Sequence, residues 1–492
     1  METLGWYLLA LLSILSTYFL RRVQRPQPPS PFALPIVGHL YLINSSKTPI
    51  YRTLQALSLK HGPIMSLRLG VSRVLLLSSA SSVKACFPEH DITFSNRPKT
   101  VRGEVAGYNS TTIAWCQYGD HWRNLRRVTA LNIFSPACIR RSGLVRDSEV
   151  RVTLRQLYND SNRVQKVRVN LFSVIAKLAL RHAGRLVDGN PVENIEDYLK
   201  PSTLLNPLDC SPFLRWIGYG GIEKKLKEMY KGKDAYLQGL IDNYRRKMEL
   251  GSGQGGPDNT IVEALLALQV AEPQVYPDDF MKGVIAIMFT AGMDPPVRTM
   301  EWAMTLLLNH PPVLEKARNE IDSHVKSGEL IEDSDIPKLK YLHCIICETL
   351  RLFPAAPLLL PHYSSEDCII SGYKIPKNTI VYMNAWAIHR DQNVWEDPDE
   401  FRPERFLSGE AERDGYKYIP FGIGRRVCPG ESLGLRMIGI ILAALIQCFD
   451  WERVGSELVD LSAVGEVTLS KAKPLEAMYS PRQSMIPFLS QL

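Results

Sequence analysis

The sequence predicts a mainly α-helical fold with small β-sheets, and three observations support this prediction. Long stretches with the apolar periodicity of helices occupy most of the 492 residues. Two shorter stretches, from Leu67 to Leu77 and from Cys368 to Tyr382, are rich in apolar residues around turn residues, which favours strands. A third stretch, at the N-terminus, has the length and composition of a membrane-spanning helix. The fold class is therefore helical, with a membrane helix in front of it.

The N-terminal apolar stretch runs from Thr3 to Leu20. Its eighteen residues would span roughly 27 Å as a helix, just enough to cross a bilayer. Arg21 and Arg22 follow directly, so we predict a single-pass anchor over residues 1–22 with the rest of the chain in the cytoplasm. A cleaved signal peptide is the competing interpretation, but the basic residues follow the apolar stretch instead of preceding it. A second apolar run, Met437 to Ile446, is too short to span and predicts a buried core helix.

A proline-rich segment follows the predicted anchor. Five prolines lie between Arg25 and Gly38, which predicts a stiff, extended spacer, and we assign residues 23–38 to a hinge. We assign residues 39–492 to a single further domain. The glycine-rich loop from Gly251 to Pro257 is not a domain boundary, because the motifs on both sides of it belong to one site.

Composition narrows the function. The net charge is +7, and the basic residues are dispersed without a long run, which argues against nucleic acid and leaves an acidic protein or a membrane surface as the partner. The nine cysteines are scattered and odd in number, so a disulfide framework is not expected. Cys344 and Cys347 form a CxxC pair, but they lie inside an apolar helical pattern, which predicts core packing.

Cys428 lies in the most informative segment, Phe421 to Gly430. A helical pattern begins at Glu431, so the thiol lies just before a helix N-terminus, whose partial positive charge favours thiolate. Gly422 and Gly424 allow the backbone to pass close to a flat ligand. The alternative is a buried free cysteine in a glycine-rich turn.

The spacing of Phe421, Gly424, Arg426, Cys428 and Gly430 resembles the haem-binding signature of the cytochrome P-450 superfamily. The resemblance extends over essentially the full chain and implies the cytochrome P-450 fold, with haem b (iron protoporphyrin IX) as cofactor and Cys428 as the metal ligand. In detail the chain is similar to the plant microsomal type, near the group that oxidises isoflavonoids, lignans and alkaloids.

The sequence from Tyr276 to Pro312 reads as one long helix. Within it, Phe289 to Arg298 resembles the oxygen-activation segment of the superfamily. Ala291 and Gly292 are small enough for a planar cofactor and dioxygen to approach, and Asp294 matches the acidic residue of that segment.

The chain departs from the superfamily after this acid. Threonine usually follows, and its hydroxyl helps to deliver protons, whereas here Pro295 and Pro296 follow. Each proline costs ~3 kcal/mol inside a regular helix, so we predict a kink or local unwinding that leaves the carbonyls of Ala291 and Gly292 free to hold water. Thr299 is a turn too far to replace the hydroxyl. The hypothesis is that protons come through water or a substrate hydroxyl, which favours ring closure; the alternative is that the prolines only shape a bend.

Two further sets of residues are implied by the resemblance. The first is a structural network of Glu348, Arg351 and Arg405 that locks the layer holding the cysteine loop. The second binds the haem propionates through residues with donor or cationic groups: Trp122, Arg126, His362 and Arg426. For His362, an ordinary core or surface histidine is an equal alternative.

The substrate pocket is assigned by positional analogy with the superfamily. The residues predicted to line it are Tyr108, Ile113, Trp115, Phe289, Leu358, Leu359, Met478 and Tyr479. This apolar, aromatic lining predicts a flat or cyclic hydrophobic substrate. The apolar segment from Leu204 to Gly221 is predicted to dip into the membrane and admit lipophilic molecules.

The leading hypothesis is a monooxygenase of plant specialised metabolism in the endoplasmic reticulum membrane, dependent on NADPH and dioxygen. Its implied electron donor is a membrane-bound flavoprotein reductase, which would dock on a basic face formed by Arg123, Arg126, Arg127 and Arg425. Two rivals are kept: an enzyme that closes or rearranges rings without net oxygen insertion, and a non-catalytic membrane haem protein.

Overall fold

The computed structural model describes residues 26–43, 48–161, 166–190, 206–250, 260–326, 328–465 and 467–492, without the side chains of residues 412 and 413. The predicted anchor over residues 1–22 and the loop Gly251 to Pro257 lie outside these residues. In the described chain, helices predominate and the sheets are small, as the sequence predicts.

Nineteen α-helices are found in the described residues. In chain order they are α1 Ile50–His61, α2 Ala80–His90, α3 Val101–Ala106, α4 Asp120–Asn132, α5 Pro136–Arg141, α6 Gly143–Asp160, α7 Leu171–Asp188, α8 Pro207–Cys210, α9 Pro212–Trp216, α10 Ile222–Glu249, α11 Ile261–Ala271, α12 Asp278–Thr290, α13 Asp294–Asn309, α14 Pro311–His324, α15 Lys340–Leu352, α16 Ala385–Ile388, α17 Glu410–Arg413, α18 Glu431–Cys448 and α19 Ile486–Leu489.

Eleven strands form four sheets within the same residues. The strands are β1 Ile64–Leu69, β2 Ser72–Leu77, β3 Val167–Asn170, β4 His362–Tyr363, β5 Cys368–Ile370, β6 Tyr373–Ile375, β7 Thr379–Met383, β8 Phe449–Glu452, β9 Ala463–Val464, β10 Ser470–Lys471 and β11 Glu476–Pro481. Their orders are β1-β2-β7-β4, β3-β11-β8, β10-β9 and β5-β6. Both predicted strand regions are therefore confirmed, and β2 pairs with β7 in parallel.

The turn between β1 and β2 requires glycine. Gly70 has φ +60°, and a Cβ there would lie 2.1 Å from the carbonyl oxygen of Cys210. Val71 also donates a hydrogen bond to that oxygen at 3.0 Å. The hairpin is thus fastened to the end of α8.

The described part of the proline-rich segment lies against the sheets. Ser66 of β1 donates to the carbonyl oxygen of Pro29 at 2.8 Å, and Lys374 of β6 donates to that of Pro26 at 3.1 Å. Because prolines cannot donate, only their carbonyls bind the sheet. Residues 26–33 have no regular secondary structure, whereas residues 34–38 form a tight turn in which Leu34 and Gly38 exchange backbone hydrogen bonds at 3.0 Å. The extended conformation that the prolines predict is therefore interrupted by this turn.

Helix α18 forms the centre of the largest hydrophobic cluster. It is the one described helix long and apolar enough to cross a membrane, but two thirds of its apolar window is buried inside the protein. Every residue from Met437 to Ile446 is buried. The prediction of a core helix is confirmed here. Trp302 of α13 stacks on Phe353 beside the same cluster, with ring centroids 3.8 Å apart.

The predicted long helix from Tyr276 to Pro312 is two helices. Helix α12 ends at Thr290 and α13 begins at Asp294, so the local unwinding that the prolines predict is confirmed, whereas a continuous helix is wrong. Pro295 and Pro296 lie in the first turn of α13. A missing N–H costs little there, because the first N–H groups of a helix have no helical partner.

Candidate active site

The segment before α18 forms a tight loop around Cys428. The backbone N–H of Cys428 donates to the carbonyl oxygen of Phe421 at 2.9 Å, which closes the loop. Gly422 and Gly424 have φ +81° and +68°, as their predicted role requires. A Cβ on Gly424 would lie 2.3 Å from Oδ1 of Asp91, so no larger residue fits there without movement.

Cys428 lies three residues before the start of α18 and retains accessible surface. Protein nevertheless surrounds the sulfur on most sides, and this burial raises the pKa of its thiol above the ordinary value. The N–H groups of Gly430 and Glu431 act in the opposite direction without outweighing burial. The helix start therefore favours thiolate, as expected, but its effect is smaller than that of burial. A bound metal cation is what would ionise this thiol.

Three arginines converge beside the cysteine loop and bind carbonyl oxygens. Arg426 donates to the carbonyls of Ser95 and Cys116 at 2.7 and 2.6 Å. Arg97 donates to that of Pro361 at 2.7 Å through Nη1. Arg126 donates to that of Val427, next to Cys428, at 2.8 Å.

No carboxylate in the described part of the chain forms an ion pair with any of these three arginines. Burial lowers the pKa of Arg97 to about 9, and it lowers those of Arg126 and Arg426 as well. Buried cations without an acid are costly unless an anion binds them. The cluster therefore fits a buried dianion, which is what the two propionates of haem provide.

His362 and Trp122 lie against the same arginines. Nδ1–H of His362 donates to the carbonyl of Phe94 at 2.8 Å, and burial with the charge of Arg97 holds the pKa of His362 well below its usual value. The indole of Trp122 lies 4.7 Å from the guanidinium of Arg426. His362 is thus neutral, and its part in binding a propionate would be hydrogen bonding rather than charge.

Cys428 would act as the protein ligand of the haem iron, because a cysteine thiolate is one of the side chains that hold haem iron in proteins. Among the described residues, no group of three or more His, Cys, Asp or Glu side chains is placed to hold a metal ion. With the arginines for its propionates and the thiol for its iron, the residues present fit haem.

The residues Glu348, Arg351 and Arg405 form one ion-pair network. Arg351 donates to both carboxylate oxygens of Glu348, at 2.7 and 2.8 Å, and both side chains are fully buried. Arg405 donates to Glu348 at 3.3 Å. Arg351 also donates to the carbonyl oxygens of His389 and Pro398. The network therefore joins α15 to the chain segments that precede the cysteine loop.

The break between α12 and α13 leaves two carbonyls unpaired. In the described chain no hydrogen bond reaches the oxygens of Ala291 and Gly292, whose helical donors would be residues 295 and 296. Both residues are exposed although their neighbours are mostly buried. A Cβ on Gly292 would lie 2.4 Å from the carbonyl oxygen of Met288. We refer to this feature, the exposed residues Ala291 and Gly292 with their free carbonyls, as the notch.

Asp294 and Thr299 are both engaged within α13. Oδ1 of Asp294 lies 3.0 Å from Nε of Arg298, and the hydroxyl of Thr299 donates to the carbonyl of Pro295 at 2.9 Å. Thr299 is buried, so it does not replace the hydroxyl that Pro295 lacks.

The residues predicted to line the pocket differ in their surroundings. Tyr108, Ile113 and Trp115 are half-buried, and Phe289, Leu358 and Leu359 are buried. Tyr108 and Leu359 have positive φ, +49° and +53°, a strained conformation that is common at functional sites. The carbonyl oxygen of Ile113 accepts a hydrogen bond from Arg426, so the loop that contains Ile113 borders the arginine cluster.

Tyr479 is a correction to the predicted pocket. Its ring stacks on Trp451, and its hydroxyl donates to the carbonyl of Leu157 in the core. Met478, one residue earlier, is half-buried and pairs with Glu452 in the β11-β8 sheet. The C-terminal segment that reaches the loop before β4 is instead Leu469, whose N–H donates to the carbonyl of Ala355 at 2.9 Å.

Other residues were missed or misplaced at the level of sequence. Arg97 is not among the residues predicted to bind the propionates, and its only sequence signal is its position within the segment Phe94-Ser-Asn-Arg-Pro98, which resembles that of the plant microsomal type. Arg126 points inward to Val427, so it does not belong to the basic surface. No sequence signal marks His389, which hydrogen bonds to both Arg351 and Ile419.

The helical fold, the cysteine loop and the buried arginines together define a haem-thiolate protein. The sequence matches the Cytochrome P450 family over residues 28–475, and the chain belongs to that family as a cytochrome P450 monooxygenase with haem as its cofactor. It is 43% identical to the (+)-piperitol/(+)-sesamin synthase of Sesamum radiatum, over 94% of this chain and 92% of that protein. It is 43% identical to cytochrome P450 81Q32 of Catharanthus roseus (98% and 97% covered) and 40% to isoflavone 2'-hydroxylase of Glycyrrhiza echinata (97% and 96%).

Proposed function

We propose that the protein oxidises a flat, aromatic plant metabolite of the isoflavonoid or lignan kind, at the endoplasmic reticulum membrane, with electrons from NADPH. The names of its relatives support the substrate class, because they include an isoflavone hydroxylase and a lignan synthase. Trp115 is a half-buried aromatic residue whose neighbours Ala114 and Cys116 accept hydrogen bonds from the arginine cluster, and it is consistent with such a ligand.

The observation that carries the proposal is the arginine cluster without acids beside Cys428. Bound haem would supply oxygen activation. The residues of this chain would hold it in place: Cys428 through sulfur, and Arg97, Arg126 and Arg426 through hydrogen bonds to the propionates. The notch and Asp294 would bind and transfer the protons that the reaction consumes.

A second candidate function is oxidative ring closure, as in the formation of a methylenedioxy bridge from an ortho-methoxyphenol. It is favoured by Pro295, which has no hydroxyl to donate protons, and by the sesamin synthase among the relatives. In this reaction dioxygen, NADPH and one proton remove two hydrogens from the substrate and yield two waters, so no oxygen enters the product.

Isotopic labelling separates the two reactions. With ¹⁸O₂, hydroxylation would place one labelled atom in the product, whereas bridge formation would place none. A screen of isoflavonoids and lignans for substrate-induced shifts of the Soret band would identify the ligand first. A normal carbon monoxide difference spectrum without reductase-dependent turnover of any bound ligand would favour the non-catalytic haem protein instead.

The electron donor that we propose is a membrane-bound flavoprotein reductase. Arg123 and Arg127 lie on α4 beside a surface pocket of about 320 Å³, and Arg425 lies beside the cysteine loop. Arg123 is paired with Asp120 and Arg425 with Asp91, so part of this charge is neutralised. Arg127 donates to Asn124 rather than to an acid, so its charge is not neutralised. It would therefore attract an acidic partner more strongly than Arg123 or Arg425.

A charge-reversal experiment tests this docking face. Arg127→Glu should slow reduction by the reductase and weaken its salt dependence, while reduction by dithionite stays normal. Lys247→Glu, an exposed reversal at the end of α10, is the matched control and should change neither rate. Equal rates for Arg127→Glu and the wild type would exclude this face.

Membrane attachment is proposed through an anchor over residues 1–22, the hinge over 23–38 and an apolar surface on the catalytic domain 39–492. The apolar contact between the domain and the membrane is supported by the exposure of large apolar side chains. They are Phe32, Ile36, Val71, Phe213, Trp216 and Ile217. The hydrogen bond from Val71 to Cys210 brings two of these segments together. Such a patch is typical of a membrane contact.

A further inference from the structure

The longest stretch of the described chain without a buried residue runs from 211 to 236. It contains α9, the turn after it and the first half of α10, whose burial begins only at Leu237. Large apolar side chains are exposed along it, and the most exposed are Phe213, Trp216, Ile217 and Tyr219. Exposed apolar surface of this extent indicates a partner. We call residues 211–236 the outer segment.

Basic side chains share the outer segment with the apolar ones. It has six basic residues against three acidic ones. Lys224, Lys225 and Lys231 are exposed, and no acid in the described part of the chain forms an ion pair with them. The nearby acid Glu223 is instead bound by Arg215 at 2.9 Å. Exposed aromatic rings beside unpaired lysines fit an apolar surface that carries negative charge.

The outer segment is connected to the place where the proposed anchor would leave the membrane. That anchor ends four residues before Pro26, so Pro26 would lie within about 14 Å of the bilayer. The proline-rich segment then binds the β1-β2 hairpin, where Gly70 donates to the carbonyl oxygen of Val37 at 3.2 Å. Val71 in the same turn donates to that of Cys210, the residue directly before the outer segment. The chain path therefore keeps the outer segment close to the bilayer.

We propose that the outer segment docks on the bilayer through its aromatic side chains and that its lysines select anionic phospholipids over neutral ones. The inference rests on the proposed membrane attachment and specifies the lipid at that contact. Lys224 and Lys225 lie in the first turn of α10, five and six residues after Tyr219. Their ammonium groups reach the headgroup phosphates while the rings lie at the boundary of the acyl chains. Each lysine near an anionic surface strengthens docking roughly fivefold.

A second copy of this chain fits the outer segment less well than a bilayer does. A symmetric contact between two copies would bring the same surface of each together. The unpaired lysines of one outer segment would then face those of the other, and like charges repel.

The test measures contact between Trp216 and lipid in the full-length holoenzyme. The protein is reconstituted into vesicles of brominated phosphatidylcholine, with and without phosphatidylserine. Bromine quenches indole fluorescence at contact, and the difference between the wild type and Trp216→Phe isolates the signal of Trp216, which is 82% exposed. We expect phosphatidylserine to increase the quenching and added salt to remove that increase. Lys224→Gln with Lys225→Gln should weaken docking roughly 25-fold in phosphatidylserine vesicles and leave it unchanged in phosphatidylcholine.

Two control variants accompany this measurement. Lys326→Gln with Lys340→Gln removes two exposed lysines outside the outer segment and should keep the increase. Lys224→Arg with Lys225→Arg retains both charges and should keep the increase as well. A normal carbon monoxide difference spectrum in each variant establishes that the fold is intact.

The outcomes separate the lipid selection from the membrane contact itself. Equal quenching with and without phosphatidylserine, or an increase that the glutamine variant retains, would overturn the selection while the apolar contact of the proposed function stands. If Trp216 is not quenched in any vesicle, both are wrong. Shielding of Trp216 from aqueous iodide that rises with the ratio of protein to lipid would overturn the proposal in favour of a second copy.

Discussion

Arg351 and His389 exchange hydrogen bonds in the core: Nη1 of Arg351 donates to the carbonyl oxygen of His389 at 2.7 Å, and Nδ1 of His389 donates to that of Arg351 at 3.2 Å. Nε2 of His389 then accepts the N–H of Ile419 at 2.9 Å. The neutral imidazole therefore joins the Glu348 network to the segment that leads into the cysteine loop.

The buried, neutral His389 should make the folded protein less stable at acidic pH. Burial and the charge of Arg351 lower the pKa of His389 to about 3, against 6.5 when unfolded. Between these values the unfolded chain binds a proton that the folded chain does not, so stability falls as pH drops below about 6.5 and stops falling near pH 3. Thermal unfolding of the holoenzyme across this range measures the slope.

His389→Gln identifies the contribution of this residue, because glutamine can donate and accept without titrating. We expect a lower Tm at pH 7 and a shallower decline toward pH 4. His182 and His362 are also buried with a lowered pKa and contribute to the remaining slope, as do carboxyl groups with a lowered pKa such as that of Glu223. An unchanged slope in His389→Gln would contradict the assignment.

Loss of Glu348 should abolish haem binding. Glu348→Ala leaves the fully buried Arg351 without its carboxylate, and an uncompensated buried charge costs about 3–5 kcal/mol. The carbon monoxide difference spectrum of purified protein measures the haem content. The control is Asp335→Ala, which breaks a pair between the half-buried Asp335 and the exposed Lys338 and should retain haem. Normal haem in Glu348→Ala would refute the structural role.

The sequence predicts local features well and distant contacts poorly. Gly70 between apolar runs predicts the β1-β2 hairpin, and Pro295 with Pro296 predicts the break before α13, because turn and proline chemistry act over a few residues. The break lies just before the prolines because prolines are tolerated in the first turn of a helix, so Pro295 and Pro296 begin α13 and the unwound residues include Ala291 and Gly292.

Contacts between distant segments escape such patterns. Arg97 joins the arginine cluster only because β4 and the loop around Ala114 fold over it. Tyr479 looks like a pocket residue by position, but strand pairing with β8 turns its ring into the core. The pKa of Cys428 follows from how closely protein surrounds it, which a motif does not reveal.

Arg97 should retain haem through its buried charge. In Arg97→Gln the cluster keeps hydrogen bonding but loses one cation, so we expect haem to transfer to apomyoglobin roughly tenfold faster, as for loss of a charged hydrogen bond. Arg123→Gln, half-exposed and paired with Asp120, is the control and should transfer haem at the wild-type rate. Equal rates for the two variants would remove Arg97 from the haem site.

Pro295→Thr should alter the outcome of the reaction. Threonine at this first-turn position adds a hydroxyl and restores an N–H toward the carbonyl of Ala291, so the notch loses a water acceptor and gains a proton donor. We expect less hydrogen peroxide per NADPH and a larger share of product carrying ¹⁸O from dioxygen.

The control for Pro295→Thr is Pro295→Ala, which restores the same N–H without a hydroxyl. If proton donation by the hydroxyl matters, only the threonine variant shifts the product ratio, because the alanine variant merely closes half of the notch. If both variants shift it equally, the free carbonyl of Ala291 is the determinant. If Pro295→Thr changes neither peroxide release nor product ratio, the proline only shapes the bend and the ring-closure hypothesis loses its structural basis.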